Sequence, residues 1–265
     1  NRAVDRVSFT GSVAAGKNIQ VANAGTRLAP ISLELGGKSP NIVFADTDLN
    51  LTVKGVLRSI FRSQGQSCVA GSRLILQDVI YSEFLDLLVS GTRKMRIGSQ
   101  FDLSTQIGPL INKEHLLRVL GYIKCAEQEG ARLVFGGNRP CGANFERGSY
   151  LEPTIFDCVH PDMRVWKEEI FGPVLSVIKF SSQDEAVVLA NQSCFGLSAN
   201  IWTSNITRAL EISSNLETGM VWINGHFVRD LRAPFGGWKD SGVGFEGGRY
   251  SLEFFSKPKM VCVVY

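Results

Sequence analysis

Short apolar stretches alternate with longer amphipathic stretches along most of the 265-residue chain. The apolar stretches are typical of buried strands, and the amphipathic ones have the 3.6-residue period of helices that pack on a sheet. This alternation predicts an α/β sandwich with a largely parallel sheet. No internal repeat or low-complexity segment interrupts it.

The pattern also predicts bounds for the elements. Strands are expected over residues 4–9, 31–35, 41–44, 73–77, 132–135, 174–180, 198–202, 220–224 and 260–265. Helices are expected over 13–24, 48–63, 81–95, 113–129, 184–191 and 205–215. Asp48 is a suitable N-cap for the second helix, and Gly65 and Gly130 follow helix ends. The last strand, if left unpaired, would promote aggregation.

Composition excludes several classes of protein. The chain has 28 Lys and Arg against 25 Asp and Glu, a net charge of +3, with 44% hydrophobic and 20% charged residues. These values indicate a globular domain with ample core and exclude disordered, collagen and coiled-coil chains. No run of like charges suggests nucleic-acid binding, and no apolar run approaches the roughly 20 residues of a membrane span. With no signal peptide visible, a cytoplasmic location is expected. Because the chain starts inside a predicted strand, we expect it to be part of a longer protein.

The cysteines indicate free thiols. The six are far apart, no CxxC pair occurs, and His115, His160 and His226 are isolated, so neither a disulfide framework nor a metal site is predicted. Cys68 stands out because glycines lie three residues before and after it, among small polar residues. Such a partly exposed thiol becomes a nucleophile if its pKa is lowered, whereas a plain turn remains the alternative.

A carboxylate offers a matching base. In the predicted strand ending at Leu35, Glu34 lies on the opposite face from Leu33 and Leu35. Glu34 is then either a solvent-facing side chain or a general base, made mobile by the two glycines that follow Leu35. Together, Glu34 and Cys68 form a base and nucleophile pair.

Two further segments suggest a cofactor site. The run Thr10-Gly11-Ser12 lies between a strand and a helix, where free backbone N–H groups bind phosphate, although an ordinary helix cap is the alternative. Glu169 and Phe171 are suited to hold a ribose, the first by hydrogen bonds and the second by packing. A surface glutamate at a strand entry is the alternative for Glu169.

Five motifs together resemble NAD(P)-dependent aldehyde dehydrogenases. They are Phe9-Thr10-Gly11-Ser12, Leu33-Glu34-Leu35-Gly36-Gly37-Lys38, Gly65-Gln66-Ser67-Cys68, Glu169-Ile170-Phe171-Gly172-Pro173 and Pro234-Phe235-Gly236-Gly237. Their order and spacing match the family along the whole chain. Since members are not far short of twice this length, the chain resembles their C-terminal half or slightly more.

The resemblance implies roles for individual residues. Cys68 is implied as the nucleophile that forms a thiohemiacetal and then a thioester, with its backbone N–H as an oxyanion donor. Glu34 is implied as the base that activates water. The cofactor is implied to be NAD, with NADP left open, and to contact Gly11, Ser12, Leu35, Gly36, Glu169 and Phe171.

The resemblance also implies a domain organisation. Residues 1–36 correspond to a remnant of the NAD-binding domain, 37–240 to the catalytic domain, and 241–265 to a tail with an oligomerisation strand. The implied fold is a three-layer α/β sandwich with an incomplete Rossmann-like cofactor domain. The implied assembly is a homo-oligomer, a dimer or tetramer, without nucleic acid or membrane.

The segment from Asn224 to Pro234 suggests a substrate class. Its Val-Arg-Asp-Leu-Arg run is similar to the branch that oxidises muconate-type semialdehydes from aromatic ring cleavage, including the carboxymethyl-hydroxymuconate semialdehyde enzymes. There, Arg229 is implied to hold a substrate carboxylate, while Phe235 lines the substrate tunnel. The alternative is a surface ion pair of Arg229 or Arg232 with Asp230.

Three functional hypotheses therefore stand. The first is an enzyme that oxidises a carboxylated semialdehyde; within it, Glu34 favours hydrolysis of the thioester over its release to coenzyme A. The second is a truncated, non-catalytic fragment that forms oligomers, because residues supplied upstream in the family have no counterpart here. The third is a cysteine hydrolase, which requires a histidine partner for Cys68.

Overall fold

A computed structural model describes residue 1 and residues 3–265 of the chain. Its strands are β1 (Val7–Thr10), β2 (Ile31–Glu34), β3 (Pro40–Val43), β4 (Arg73–Gln77), β5 (Arg132–Phe135), β6 (Thr154–Asp157), β7 (Val174–Phe180), β8 (Phe195–Gly196), β9 (Ser198–Trp202), β10 (Met220–Ile223), β11 (Trp238–Lys239) and β12 (Gly242–Val243). Its α-helices are α1 (Val13–Ala24), α2 (Leu49–Phe61), α3 (Tyr81–Arg93), α4 (Lys113–Gln128), α5 (Ala143–Glu146), α6 (Arg164–Lys167), α7 (Gln183–Asn191), α8 (Ile206–Asn215) and α9 (Gly248–Phe254).

A seven-stranded sheet forms the centre, in the order β10-β9-β3-β4-β7-β6-β5. All its pairs are parallel except β5 with β6, at one edge. In the register of β3 and β4, Ile42 lies beside Ile75 and Val43 beside Leu76. Because alternate residues point to opposite faces, these two rows of apolar side chains enter different cores.

Two hydrophobic clusters cover the two faces of this sheet. One is built on α4, α6, α7 and α8 and contains Ile42, Ile75 and the fully buried Trp166. The other is built on α2 and α3 and contains Val43 and Leu76. The result is the predicted three-layer α/β sandwich.

A smaller sheet stands beside the sandwich. β1 and β2 are parallel and joined through α1, and β12 adds to β2 in the antiparallel direction. The segment predicted as a C-terminal tail thus contributes a strand to the sheet formed by the first 36 residues. Glu34 ends β2 at this junction, where it pairs with Gly242.

Most predicted elements are present. The predicted helices differ from the observed ones by at most two residues at an end, and Asp48 caps α2 by accepting from the Leu51 N–H at 2.9 Å. The prediction missed the strand Thr154–Asp157, and the first strand lies at Val7–Thr10 rather than 4–9.

The predicted strand over 260–265 is wrong for the single chain. These residues form no strand and all their side chains are exposed. A strand is stable only where its backbone groups find partners, and no strand in the described residues lies beside this segment. None of the helices in residues 1 and 3–265 has the length and apolar character to cross a bilayer.

Candidate active site

Cys68 lies in a loop that follows α2. A tight turn, Arg62–Gly65, leads into it, and three successive residues, Ser63, Gln64 and Gly65, adopt left-handed φ values of 54°, 57° and 66°. A Cβ on Gly65 would overlap the carbonyl oxygen of Gly172, so the position needs glycine for its conformation and for space. The Gly71 N–H then donates to the Ser59 carbonyl at 3.1 Å and returns the loop to β4.

The thiol of Cys68 is half-buried, as predicted. Its pKa is raised, first by burial and then by the negative charges of Glu169 and Glu34. The backbone N–H groups of Val69 and of Cys68 itself act in the opposite direction, since they stabilise the thiolate. The thiol at rest is therefore protonated and needs a base to become a nucleophile.

Glu34 is not the solvent-facing carboxylate of the alternative interpretation. It is 3% exposed, and neither carboxylate oxygen has a hydrogen-bond partner among the described residues. Burial, followed by the charge of Glu246, raises its pKa from 4.5 to about 8, while the charge of Arg229 acts to lower it. A Cβ on Gly236 would stand 3.2 Å from Glu34 Oε1, which shows how closely the backbone approaches this carboxyl group. Such a group is poised to exchange a proton near neutral pH.

Gly36 and Gly37, which follow Glu34 and Leu35, lie between the Glu169 carboxylate and the Cys68 loop. The Gly37 N–H donates to Glu169 Oε1 at 3.0 Å. A Cβ on Gly36 would overlap the Glu169 carboxylate, and one on Gly37 would overlap the carbonyl oxygen of Cys68. The glycine pair therefore lets the backbone pass between Glu169 and the Cys68 loop.

These elements enclose one cavity of about 520 Å³. It is lined by all the predicted cofactor residues together with Cys68 and five others: Thr10, Gly11, Ser12, Leu35, Gly36, Gln66, Ser67, Cys68, His115, Arg118, Glu169 and Phe171. Residues from the small sheet, the Cys68 loop and α4 thus meet at one opening. A cavity of this size, with polar groups converging beside apolar surface, is typical of a cofactor site.

One end of the cavity is the start of α1. Ser12 caps that helix by accepting from the Ala15 N–H at 3.3 Å, so the first turn presents its N–H groups beside Gly11. This arrangement is both the helix cap of the alternative interpretation and a place where an anion gains from the helix dipole. At the other end, Phe171 has a φ of 59°, and its carbonyl oxygen lies 2.6 Å from His115 Nε2.

Sequence reasoning missed several residues of this site. His115 and Arg118 lie three residues apart on α4, and Arg118 donates to the Glu169 carbonyl at 3.0 Å. The only sequence signal that could have identified them is their position on one face of the same helix. Lys38 is 2% exposed, and its Nζ has no partner among the described residues. Burial, followed by the charge of Arg73, lowers the pKa of Lys38 to about 7.

The predicted substrate residues lie on the Glu34 side. The Arg229 guanidinium stands over the Phe235 ring, 4.5 Å from its centroid. Phe235 and Glu246 exchange two backbone hydrogen bonds of 2.8 and 2.7 Å. The ion pair considered as an alternative exists, but Arg232 rather than Arg229 forms it, with Asp230 at 2.6 Å.

The structure does not support a histidine partner for Cys68. Among the described residues, no hydrogen bond joins a histidine nitrogen to the sulfur. His226 instead pairs its Nδ1 with Asn200 Oδ1 at 3.0 Å, and burial lowers its pKa to about 4. In residues 1 and 3–265, no three His, Cys, Asp or Glu side chains converge to hold a metal ion.

Comparison with known proteins connects this geometry to one family. A profile of the aldehyde dehydrogenase family matches residues 1–261. The betaine aldehyde dehydrogenase of Bacillus subtilis (strain 168) is 42% identical over 261 residues, which are 98% of this chain and 53% of that protein. The mitochondrial aldehyde dehydrogenase of Mesocricetus auratus is 42% identical over 260 residues, 98% of this chain and 51% of its own. The chain therefore spans about half the length of the curated relatives it matches.

Solved structures agree with this assignment. An NAD-dependent aldehyde dehydrogenase from Sinorhizobium meliloti matches 97% of this chain and 50% of its own, with a TM-score of 0.94 and 40% identity. An NAD+ complex of betaine aldehyde dehydrogenase from Staphylococcus aureus matches 94% of this chain and 49% of its own, with a TM-score of 0.92 and 40% identity. These matches confirm the predicted fold, whereas the relatives named are not of the semialdehyde branch. The chain belongs to the aldehyde dehydrogenase family.

Proposed function

We propose that this chain carries the catalytic centre of an NAD-dependent enzyme that oxidises aldehydes to carboxylic acids. The observation that carries the proposal is the juxtaposition of a half-buried thiol, Cys68, with Glu34, a buried carboxyl group whose charge reaches the thiol. A nucleophile and a base with a pKa of about 8 are what thioester formation and hydrolysis require.

The cavity beside Cys68 offers contacts for the pyrophosphate and one ribose of a dinucleotide. Gly11 and Ser12 at the start of α1 would hold its pyrophosphate, and Glu169 and Phe171 its ribose, next to Leu35 and Gly36. NAD, when bound there, accepts the hydride that leaves the substrate carbon. The NAD+ complexes among the similar solved structures support NAD rather than NADP.

The chain's own residues perform the remaining steps. Glu34 removes the proton from Cys68, and the thiolate attacks the carbonyl carbon to form a thiohemiacetal. The backbone N–H of Cys68 donates to the developing oxyanion. After the hydride has left, the carbon is held as a thioester on Cys68. Glu34 releases the Cys68 proton to solvent and then takes a proton from the water that attacks the thioester. The Cys68 thiolate leaves and takes up that proton, so the acid is released and the thiol restored.

A carboxylated semialdehyde, such as those formed by aromatic ring cleavage, is the proposed substrate. Arg229 supports this proposal, because it stands over Phe235 without an ion-pair partner among the described residues. A guanidinium held flat against a ring keeps its N–H groups in one plane, which suits a carboxylate. The positive charge of Arg229 acts to lower the pKa of Glu34, so the guanidinium lies near the reacting groups.

The proposal extends to the assembly and organisation of the protein. The exposed apolar segment Met260–Tyr265 suits pairing with another copy, which supports a homo-oligomer. The three domains, over 1–36, 37–240 and 241–265, and the cytoplasmic location remain predictions. The second candidate function, a non-catalytic fragment that forms oligomers, remains a prediction.

One experiment separates these two functions. Purified protein is mixed with NAD and succinic semialdehyde, and NADH absorbance is followed, with circular dichroism to check folding. We expect NADH from the wild type and none from Cys68→Ala. Cys141→Ala is the matched control, because Cys141 is exposed and does not line the cavity. A folded wild type that forms no NADH with any aldehyde would leave the non-catalytic fragment as the function.

A further inference from the structure

One face of α4 is hydrogen-bonded to the segment that carries the two proposed ribose contacts. His115, Arg118 and Tyr122 follow one another at intervals of three and four residues, so they lie on the same face of the helix. His115 Nε2 donates to the Phe171 carbonyl at 2.6 Å, and Arg118 Nη2 donates to the Glu169 carbonyl at 3.0 Å. Tyr122 lies one turn beyond Arg118, outside the cavity lining.

The ring of Tyr122 contacts two guanidinium groups. The Arg118 guanidinium carbon is 5.5 Å from the ring centroid, and that of Arg164, which belongs to α6, is 5.2 Å from it. Both distances are within the roughly 6 Å of a cation–π contact. Arg118 forms no ion pair with a carboxylate among the described residues. The Tyr122 ring and the Glu169 carbonyl are therefore the contacts that hold its guanidinium in place.

The hydroxyl group of Tyr122 holds the residue that precedes Glu169. It donates to Glu168 Oε2 at 2.7 Å. Arg164 Nε and Nη2 donate to Glu168 Oε1 and Oε2 at 2.7 and 3.0 Å, and these hydrogen bonds lower the pKa of Glu168 to about 2. Glu168 is therefore ionised at any working pH, and hydrogen bonds to an ionised group are the stronger kind. Through its ring and its hydroxyl group, Tyr122 joins α4 to both residues of the Glu168-Glu169 pair.

These contacts act on two groups that line the cavity. Arg118 is an exposed side chain with many rotamers, and once it is held it has less conformational entropy to lose when a ligand binds. Burial raises the pKa of Glu169, whereas the charge of Arg118 is among the influences that lower it. Holding Arg118 near Glu169 therefore favours the ionised carboxylate, which accepts hydrogen bonds from the hydroxyl groups of a ribose.

We propose that Tyr122 is a positioning residue for the cofactor site. It holds Arg118 and, through Glu168, the Glu169 segment in the arrangement that receives the ribose of NAD. This inference rests on the proposed function. Because Tyr122 lies outside the cavity lining, its removal is expected to weaken cofactor binding and to leave the chemical steps on Cys68 in place.

Steady-state kinetics and cofactor binding test the inference. In the longest natural chain that contains this sequence, kcat and the KM for NAD are measured with succinic semialdehyde, and the Kd of NADH is measured from its fluorescence. Tyr122→Phe removes only the hydroxyl group, whereas Tyr122→Leu removes the ring as well. Arg164→Gln removes the cation that holds Glu168. Arg249→Gln is the matched control, because Arg249 forms the same kind of ion pair, four residues apart, with Glu253 in α9 and outside the cavity lining.

Tyr122→Phe is expected to raise the KM for NAD and the Kd of NADH about threefold, since a hydrogen bond to a charged group is lost and part of its energy reaches the cofactor. Tyr122→Leu should raise both by about tenfold or more, because Arg118 also loses its ring contact. At saturating NAD, kcat should change by less than about twofold in each variant. Arg164→Gln should act as Tyr122→Phe does and should add less than its own effect to Tyr122→Leu. The control should behave as the wild type does.

The outcomes separate this inference from the function on which it rests. If the wild type neither binds NADH nor forms it from any aldehyde, the proposed function fails and the inference fails with it. If the wild type is active and the Tyr122 variants lower only the free energy of unfolding in urea, with the KM for NAD and the Kd of NADH unchanged, Tyr122 merely packs α4 and the inference is overturned. A fall in kcat with unchanged KM and Kd would overturn it as well. Should Tyr122→Leu fail to fold, Tyr122→Phe and Arg164→Gln decide the question, because both keep the ring.

Discussion

The buried carboxyl group of Glu34 should make the stability of this protein depend on pH. Its pKa is raised from 4.5 to about 8, chiefly by burial, so the folded protein holds the proton over a range in which the unfolded chain has released it. The free energy of unfolding therefore falls as the pH rises between these two values. The effect is absent below the lower pKa and complete above the higher one.

The size of this effect follows from the shift. One pKa unit corresponds to about 1.4 kcal/mol, so Glu34 lowers the free energy of unfolding by about 5 kcal/mol above its folded pKa. Lys38 acts in the opposite sense, since its pKa is lowered from 10.5 to about 7 and the folded state loses its proton first. A measurement on the wild type alone would mix these contributions. Glu34→Gln removes one titration and leaves the other unchanged.

The assay compares urea unfolding of the wild type and Glu34→Gln from about pH 5 to about pH 9. The variant should gain stability over the wild type by about 1.4 kcal/mol per pH unit until about pH 8, where the gain levels off. Glu217→Gln, in an exposed ion pair with Lys239, is the control and should show no such trend. If the free energy of unfolding depended on pH equally in Glu34→Gln and in the wild type, the reasoning would be refuted. Glu34 would then have the same pKa in the folded and unfolded states.

Three further predictions concern the site. Gly65→Ala should destabilise the protein by more than about 1 kcal/mol and lower activity, because a side chain there is strained and meets Gly172. The control Gly121→Ala, in an open helical position, should be neutral or stabilising. Equal effects of the two substitutions on urea unfolding would contradict this prediction. Glu169→Gln should lower the pKa of Cys68, seen as iodoacetamide labelling of the Cys68 peptide at lower pH; an unchanged midpoint would show that the Glu169 charge does not reach the thiol. Hydrolysis of the thioester should speed up with rising pH and level off above about 8, as Glu34 loses its proton; a flat profile would exclude Glu34 as the base.

Much of the fold could be predicted from local pattern. The strands of the central sheet are short apolar runs bounded by polar residues or glycine, and helices such as α2 carry a capping residue and an apolar face. Thr154–Asp157 was missed because only two of its four residues are apolar, whereas all four are buried. The segment 260–265 has the pattern of a strand but no neighbour in the chain, and pairing cannot be read from one segment alone.

In the candidate site, too, local motifs predicted some of the residues and missed others. Motifs around Gly11, Glu34, Cys68 and Glu169 identified residues that the fold brings to one region. His115 and Arg118 were missed because their role depends on where α4 packs, which its own sequence does not reveal. The pKa of Glu34 could not be foreseen either. Strand alternation placed it on the polar face, and only the packing of distant segments buries that face.

The central claim is that Cys68 holds the substrate carbon while Glu34 directs water to it. Its most direct test is to mix Glu34→Gln with NAD and an aldehyde, quench, and determine the mass of each cysteine-containing peptide. We expect a single equivalent of NADH, formed more slowly than in the wild type because Glu34 no longer removes the Cys68 proton. We also expect the mass of an acyl group on the Cys68 peptide alone, because the thioester is not hydrolysed. NADH formation that leaves Cys68 unmodified, or an acyl group on any other cysteine, would contradict this mechanism.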